Sequence, residues 1–235
     1  MIEQLTLSKR LETITKYLPK EAIFADIGSD HAYLPIAVCQ RDDSARAIAG
    51  ELNKGPYLAA IEHVEKYQLA ERIQVIQGDG LDVIRNHPVK QIVIAGMGGG
   101  LIRSILERGK DTLKTVERLI LQPNVDSQYI REWANANDFS LVDEDILEED
   151  GHIYEILVLD KSDQAKSTFL SDQVCLFGPF LLEKRNDTFK KKWQRELVNY
   201  QRIINQMEQA KVLDVAKIAE YNRRVKWIEQ VIKHD

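Results

Sequence analysis

At 235 residues, 44% hydrophobic and 29% charged, the chain is long enough for one full α/β domain plus a smaller addition, and it carries no signature of disorder. No apolar run approaches membrane-spanning length, and the first twenty residues alternate charge with leucine instead of forming a signal core, so a soluble, cytoplasmic protein is expected. The net charge of −5 is split: residues 1–160 hold 17 basic against 27 acidic residues, a balance of −10, and residues 161–235 hold 15 against 10, a balance of +5. A basic tail on an acidic body suits either a solvated helical surface or one positively charged contact face.

The first predicted element is an amphipathic helix on which Leu7, Leu11, Ile14 and Leu18 recur at helical spacing, with Thr6 or Ser8 as cap and Pro19 as stop. Lys9, Arg10, Lys16 and Lys20 ride on it, as the wet side of a covering helix or as a phosphate-contacting arm. Next comes Phe24-Ala25-Asp26-Ile27-Gly28-Ser29-Asp30-His31-Ala32-Tyr33-Leu34-Pro35, a buried strand ending in an acid, a glycine-led turn and an immediate helix. Such a junction holds a small polar ligand, because Gly28 admits close backbone approach and the new helix offers unpaired N–H groups.

Strand-like runs at 22–27, 45–51, 72–77, 91–95 and 117–122 alternate with helical stretches near 31–41, 54–68, 80–86, 99–109 and 126–137. This alternation predicts a parallel sheet with helices on both faces and a ligand at the carboxyl ends of its strands. Two further strands, 139–147 and 153–159, are joined by Glu148-Glu149-Asp150-Gly151, in which Asp150-Gly151 is a strong turn signal, and should pair antiparallel at the edge. The architecture resembles the Rossmann-like, seven-stranded sheet of class I S-adenosylmethionine-dependent methyltransferases over about residues 20–160.

Asp26 and Gly28 match the acid-x-Gly of that family's first motif, which lies under the methionine half of the cofactor; Ser29 and His31 share the turn. The usual glycines are replaced by Asp30 and Ala32. The Asp30 carboxylate could bind the cofactor's ammonium, face the transferred methyl, or cap the helix. Glu51 ends the second strand where an acid accepts from both ribose hydroxyls, with Asn53 beside it. Gly78-Asp79-Gly80 after the third strand can aim a carboxylate at an adenine amino group.

The Gly-x-Gly-x-x-Gly of a nicotinamide enzyme is absent after the first strand. Gly96-Met97-Gly98-Gly99-Gly100 lacks the Gly-Lys-Ser/Thr ending of a phosphate loop and reads as a loop passing close to a flat ligand, with Gly96, Met97 and Gly98 at the cofactor. Gln122-Pro123-Asn124 after the fifth strand offers two amides to the same space.

Taken together, LSKRL, ADIGSDHAYLP, GDGL, AGMGG and LQPN followed by a helical tail resemble the bacterial tRNA (adenine-22-N1)-methyltransferase family along the whole chain. The resemblance implies methyl transfer from S-adenosylmethionine to N1 of an adenine in the tRNA D stem. The N1 lone pair lies in the ring plane, so attack on a sulfonium methyl requires no strong base. Alignment and acceptors for the exocyclic amino group are required instead, and Asp30, Met97, Gln122 and Asn124 are the candidates. A stem base must also be turned out of its stack.

The RNA grip is expected in the tail. Trp193, Leu197, Tyr200, Ile204 and Met207, and again Ile218, Tyr221, Val225, Ile228 and Ile232, step by three and four, which predicts an antiparallel, coiled-coil-like helical hairpin with a break near 211–214. Lys190, Lys191, Lys192, Arg195, Arg202, Arg223, Arg224 and Lys226 are expected to be mostly exposed and, with Lys9 and Arg10, form the candidate tRNA contact. The expected division is a catalytic domain over 1–160 and a helical hairpin over 161–235, in a monomer or weak dimer. Cys39 and Cys175 lack CxxC neighbours, and His31, His63, His87, His152 and His234 lack metal spacing, so no metal is expected. Rival readings are a methyltransferase for another RNA position or a small molecule, and a non-catalytic RNA-binding protein on the same scaffold.

Overall fold

A computed structural model describes residues 4–162, 169–210 and 212–233; Lys211, in the expected hairpin break, and His234 lie outside them. Seven strands form one sheet: β1 (Ile23–Ile27), β2 (Arg46–Glu51), β3 (Ile73–Gln77), β4 (Gln91–Gly98), β5 (Arg118–Val125), β6 (Phe139–Glu149) and β7 (His152–Lys161), in the order β3-β2-β1-β4-β5-β7-β6. The first five are parallel, and β7 runs antiparallel between β5 and β6. Strand order reverses between β1 and β4, and the crevice there opens at the carboxyl ends.

Side-chain alternation sends neighbouring residues to opposite layers. Ile92, Ile94, Leu119 and Leu121 pack with Ile102, Leu106, Ile130 and Trp133, from α4 (Gly99–Arg108) and α5 (Gln128–Ala136). Val93, Ile120 and Phe24 face the other way, against Ile14, Ile36 and Val64, from α1 (Lys9–Thr15), α2 (Tyr33–Arg41) and α3 (Lys54–Lys66). The inner parallel strands β1, β2, β4 and β5 are therefore near-continuously apolar through their middle residues, with polar residues confined mostly to their ends.

Several boundaries differ from the sequence expectation. Gly96-Met97-Gly98 is not a free loop: β4 continues through it, paired with β5 across two register shifts, and β5 likewise carries Gln122, Pro123 and Asn124 inside the strand. Bulges let the strands continue where plain pairing would fail. The stretch after Gly78 is a short 3-10 segment, Gly80–Ile84. The β6–β7 turn shrinks to Asp150 and Gly151, both with positive φ. Ser8, not Thr6, caps α1, its Oγ accepting from the Leu11 N–H at 3.3 Å.

The tail holds two unexpected helices, α6 (Asp172–Phe177) and α7 (Pro179–Lys184), before the long pair α8 (Asp187–Glu208) and α9 (Val215–Lys233). Ile146 of β6 joins Phe177, Leu181, Phe189, Trp193, Ile228 and Val231 in a third core that spans residue 160. Beneath it lies a buried ion network. Arg131 Nε donates to Glu144 at 2.6 Å, its Nη2 to Glu155 at 3.0 Å and its Nη1 to the Cys175 carbonyl at 3.0 Å, while Lys192 reaches Glu155 at 2.5 Å. Burial opposes ionisation of Glu155, but the Lys192 and Arg131 charges outweigh it and hold the carboxyl down to about 2.

Candidate active site

The first motif is built by backbone conformation more than by side chains. Gly28 has φ +71°, and Asp30, His31 and Ala32 follow with φ of 45°, 66° and 61°. Three successive left-handed non-glycine residues are costly, and such strain persists where the surroundings over-determine it, typically around a ligand. The N–H groups of Gly28 and Ser29 both donate to the Gly50 carbonyl, at 2.8 and 3.2 Å, tying the turn to β2. Helix α2 starts at Tyr33 behind Ala32, with no side-chain cap, so the capping role is not taken by Asp30; its side chain is 84% exposed, 3.5 Å from His31 Nε2.

Asp26 is buried and accepts from Ser29 Oγ at 2.8 Å. Burial pushes its carboxyl up to about 7, with Ser29 lowering it and the Glu51 charge raising it further. Glu51, also buried, is pushed up by burial, against the backbone amides of Asp30 and His31. Its Oε1 has no hydrogen-bond partner. Asn53 is exposed at the start of α3 and makes no side-chain cap.

Asp79, between Gly78 and Gly80, is held by Arg108 at the end of α4, at 2.7 and 3.3 Å. Gly78 admits Val83 closely, since a Cβ there would lie 2.9 Å from Val83 Cγ1. Met97 bends over the first motif; a Cβ on Gly28 would sit 2.3 Å from Met97 Cε. Beyond the paired residues of β1 and β4, the chain therefore closes the strand-order reversal with Gly28 against Met97.

Near the end of β5, Gln122 is fully buried and Asn124 exposed. Gln122 Oε1 accepts from the Gly96 N–H at 3.0 Å and from Arg10 Nη1 at 2.5 Å. Gln122 Nε2 donates to Asn124 Oδ1 at 3.2 Å, and Asn124 Nδ2 to the Gly96 carbonyl at 2.8 Å. Gly98 packs near Val125, with Cγ2 3.8 Å from a Cβ built there.

Asn124 also lines a cleft of about 680 Å³ between the end of β5, the β6–β7 turn and the α8–α9 pair, with Tyr129, Arg195, Tyr200, Lys217 and Arg224 on its walls. The tail's cations are less free than expected. Lys190 is half-buried and engaged; Lys192 is half-buried on Glu155. Lys191 and Arg195 both pair with Glu148, at 2.6 and 3.2 Å. Arg224 is half-buried between Glu220 and Tyr200, at 2.5 and 3.2 Å, Arg202 donates to Asn199 at 3.0 Å, and Arg223 stacks 5.1 Å from the Trp227 ring. Lys9 Nζ donates to the Glu148 carbonyl at 3.3 Å. Acidic residues of the hairpin turn thus attract the tail's basic face.

A family model described as TrmK, tRNA (adenine(22)-N(1))-methyltransferase, matches residues 24–230. The chain belongs to this family. The tRNA (adenine(22)-N(1))-methyltransferase of Bacillus subtilis strain 168 is 46% identical over 99% of this chain and 100% of its own. Among solved structures, Streptococcus pneumoniae Sp1610, a putative tRNA methyltransferase in complex with S-adenosyl-L-methionine, is 40% identical, with a TM-score of 0.85 over 97% of this chain and 100% of that one. The M. capricolum TrmK complex with S-adenosyl-homocysteine is 27% identical, with a TM-score of 0.83 over 96% and 97%.

In this TrmK-family chain, sequence reasoning left three site features unseen: the inward turn of Arg10, the Arg108 partner of Asp79, and the Met97 contact with Gly28. No local pattern announces them, because Arg10 and Gln122 lie 112 residues apart and Arg108 and Asp79 lie 29 apart.

Proposed function

We propose how this chain divides the work of its family's activity, transfer of a methyl group from S-adenosylmethionine to N1 of adenine 22 in tRNA: β1 to β3 hold the cofactor, and β4 and β5 hold the base. One observation carries the first half. Glu51 Oε1 is buried and unpartnered at the carboxyl edge, and its strand is hydrogen-bonded on one side to the Asp26 strand and on the other to β3, which leads into Asp79. A buried carboxylate oxygen without a partner is costly, and a ribose diol supplies the missing donors.

The residues present fit the cofactor. Glu51 would take the ribose hydroxyls, Asp79 the adenine amino group, and the Asp26–Gly28–Ser29 turn the methionine half, with Asp30, His31, Asn53, Gly78, Gly80, Gly96 and Gly98 around them. When bound, the cofactor supplies an electrophilic sulfonium methyl. Met97 packs at the Gly28 turn and offers a soft, apolar contact near the reacting centre. Asn124 presents an amide to the adenine edge, and Gln122 holds that amide from behind. As methylation makes the base cationic, an acceptor on its exocyclic amino group gains strength, while the N1 lone pair needs only an open line to the methyl.

The cleft running from Asn124 to the α8–α9 pair is the proposed seat of the RNA around the unstacked base. Arg195, Lys217 and Arg224 would meet phosphates there, and Tyr129 and Tyr200 offer flat apolar faces. The test is incubation of the full-length protein with labelled S-adenosylmethionine and unmodified bacterial tRNA, then nucleoside analysis. Expected is 1-methyladenosine mapped to position 22; a methylated product of a different base or position would refute the assignment of the acceptor.

A further inference from the structure

We propose that Arg10 is a positioning residue for the methyl acceptor, setting the polarity of the Gln122–Asn124 amide pair that faces the adenine. The inference rests on the reading of β5 as the acceptor side and extends it to a residue of the first helix. Gln122 Oε1 receives two donors, Arg10 Nη1 at 2.5 Å and the Gly96 N–H at 3.0 Å. Turned over, Gln122 would set its own NH₂ against both, so the amide is locked in one sense. Its Nε2 must then point at Asn124 Oδ1, and Asn124 Nδ2 in turn donates to the Gly96 carbonyl. One acceptor site and one N–H of Asn124 are spent internally, and one of each is left for the substrate.

That sense matters chemically. The adenine edge shows a donor, the N6 amino group, beside an acceptor, the N1 lone pair, which is the nucleophile. An N–H aimed at N1 would occupy the pair that must reach the methyl, whereas an oxygen aimed at N6 supports the growing positive charge. Arg10, with the Gly96 N–H and carbonyl, fixes where the remaining oxygen site and the remaining N–H of Asn124 lie, without touching the base.

The guanidinium is built into place. Its helix is anchored at the N-terminus by Glu149, whose carboxylate accepts from the Lys9 and Arg10 N–H groups at 2.5 and 3.1 Å. The guanidinium lies 5.5 Å from the centre of the Tyr154 ring, and its Nη1 would be 3.6 Å from a Cβ on Gly96. An arginine held this way is half-buried, with Nη1 committed to Gln122.

The test compares full-length Arg10→Ala, Arg10→Lys, Gln122→Ala and the Arg10→Ala/Gln122→Ala double variant in steady-state tRNA methylation, with cofactor affinity by calorimetry and folding checked by thermal melting. Expected for Arg10→Ala is a fall in kcat at saturating tRNA of about tenfold or more, since small misplacements in an active site can cost that much. The KM for tRNA and the cofactor affinity stay within about twofold, because neither ligand loses a contact in the ground state. Arg10→Lys restores part of kcat by supplying a single donor. The double variant is no slower than Gln122→Ala, because the two residues act through one chain of hydrogen bonds. A raised KM for tRNA with kcat retained, or losses that multiply in the double variant, would overturn the proposal. Should Arg10→Ala melt early, Arg10→Lys decides by the same split. Wild-type protein that binds cofactor but forms no 1-methyladenosine would instead sink the acceptor reading beneath it.

Discussion

Lowering the pH from 7 to 5.5 is expected to weaken S-adenosylmethionine binding about fifteenfold through Asp26 alone. Burial pushes this carboxyl up to about 7, Ser29 offsets part of that, and Glu51 adds repulsion. The folded protein therefore holds a proton on Asp26 over a range in which the unfolded chain, at 3.8, has lost it. The Asp26 contribution to stability is fully present below the ordinary carboxylate range and is lost as pH rises through about 7. Cofactor binding runs the opposite way. A ligand carrying an ammonium and a sulfonium prefers the ionised carboxylate, so it must displace the proton wherever the free protein holds one. With a pKa near 7, about half of the free protein is ionised at pH 7 and about one-thirtieth at pH 5.5, and affinity follows that fraction. Calorimetry at several pH values, in buffers of different ionisation enthalpy, reads both the affinity and the proton released. Asp26→Asn should bind more weakly at pH 7 and lose most of the slope. An equal slope in wild type and Asp26→Asn, or no proton release near pH 7, would refute the argument.

Three further outcomes are expected. Arg131→Met leaves Glu144 and Glu155 buried with Lys192 as the remaining cation, and breaking such a network costs about 3–5 kcal/mol, or roughly 6–20 °C in melting temperature by calorimetry; a change under 2 °C would show, at about 2–4 °C per kcal/mol, that the network adds little. Glu51→Gln should weaken cofactor binding by about tenfold or more while leaving the melting temperature of the free protein unchanged or higher, because the wild-type carboxylate is buried with an unpartnered oxygen; unchanged affinity would remove Glu51 from the ribose site. In Gly99→Ala the new Cβ would fall 2.1 Å from the Asp126 carbonyl oxygen, so backbone must move and about 1–3 kcal/mol of stability is expected to be lost in urea unfolding, with methylation slowed as β4 and β5 part.

Tail and body are tied more closely than a division at residue 160 suggests. Phe177 and Trp193 meet edge to face with centroids 4.5 Å apart, in a core that also includes Ile146 of β6. Tyr200 and Tyr221 sit 5.3 Å apart where α8 and α9 pair. Lys191, Lys192 and Arg195 are engaged by Glu148 and Glu155. RNA phosphates would have to compete with carboxylates for these cations, which makes salt dependence a direct readout of how many exchange partners on binding.

The order of strands and helices was legible in the sequence because buried parallel strands must be apolar and their interruptions must be polar, and both constraints act locally. Asp26, Glu51 and Asp79 stand out in the sequence for a related reason: each is an acid at or just past the carboxyl end of a mostly apolar strand. The place of the β6–β7 turn at Asp150-Gly151 followed from turn chemistry, whereas its two-residue length was set by the pairing of Glu149 with His152. What tertiary structure decided are the contacts that need long loops closed. Glycine-rich Gly96-Met97-Gly98 continues as strand because β5 lies alongside it, which residues 96–98 do not announce. Helices α6 and α7 form around the buried Arg131–Glu144 pair, whose members are 13 residues apart and on different elements. Arg10 reads as one more surface cation on an amphipathic helix until α1 is docked by Glu149 and its guanidinium meets an amide 112 residues away. Charge and periodicity say that a residue is polar and which face of its element it shares; only the packed fold says which partner it finds.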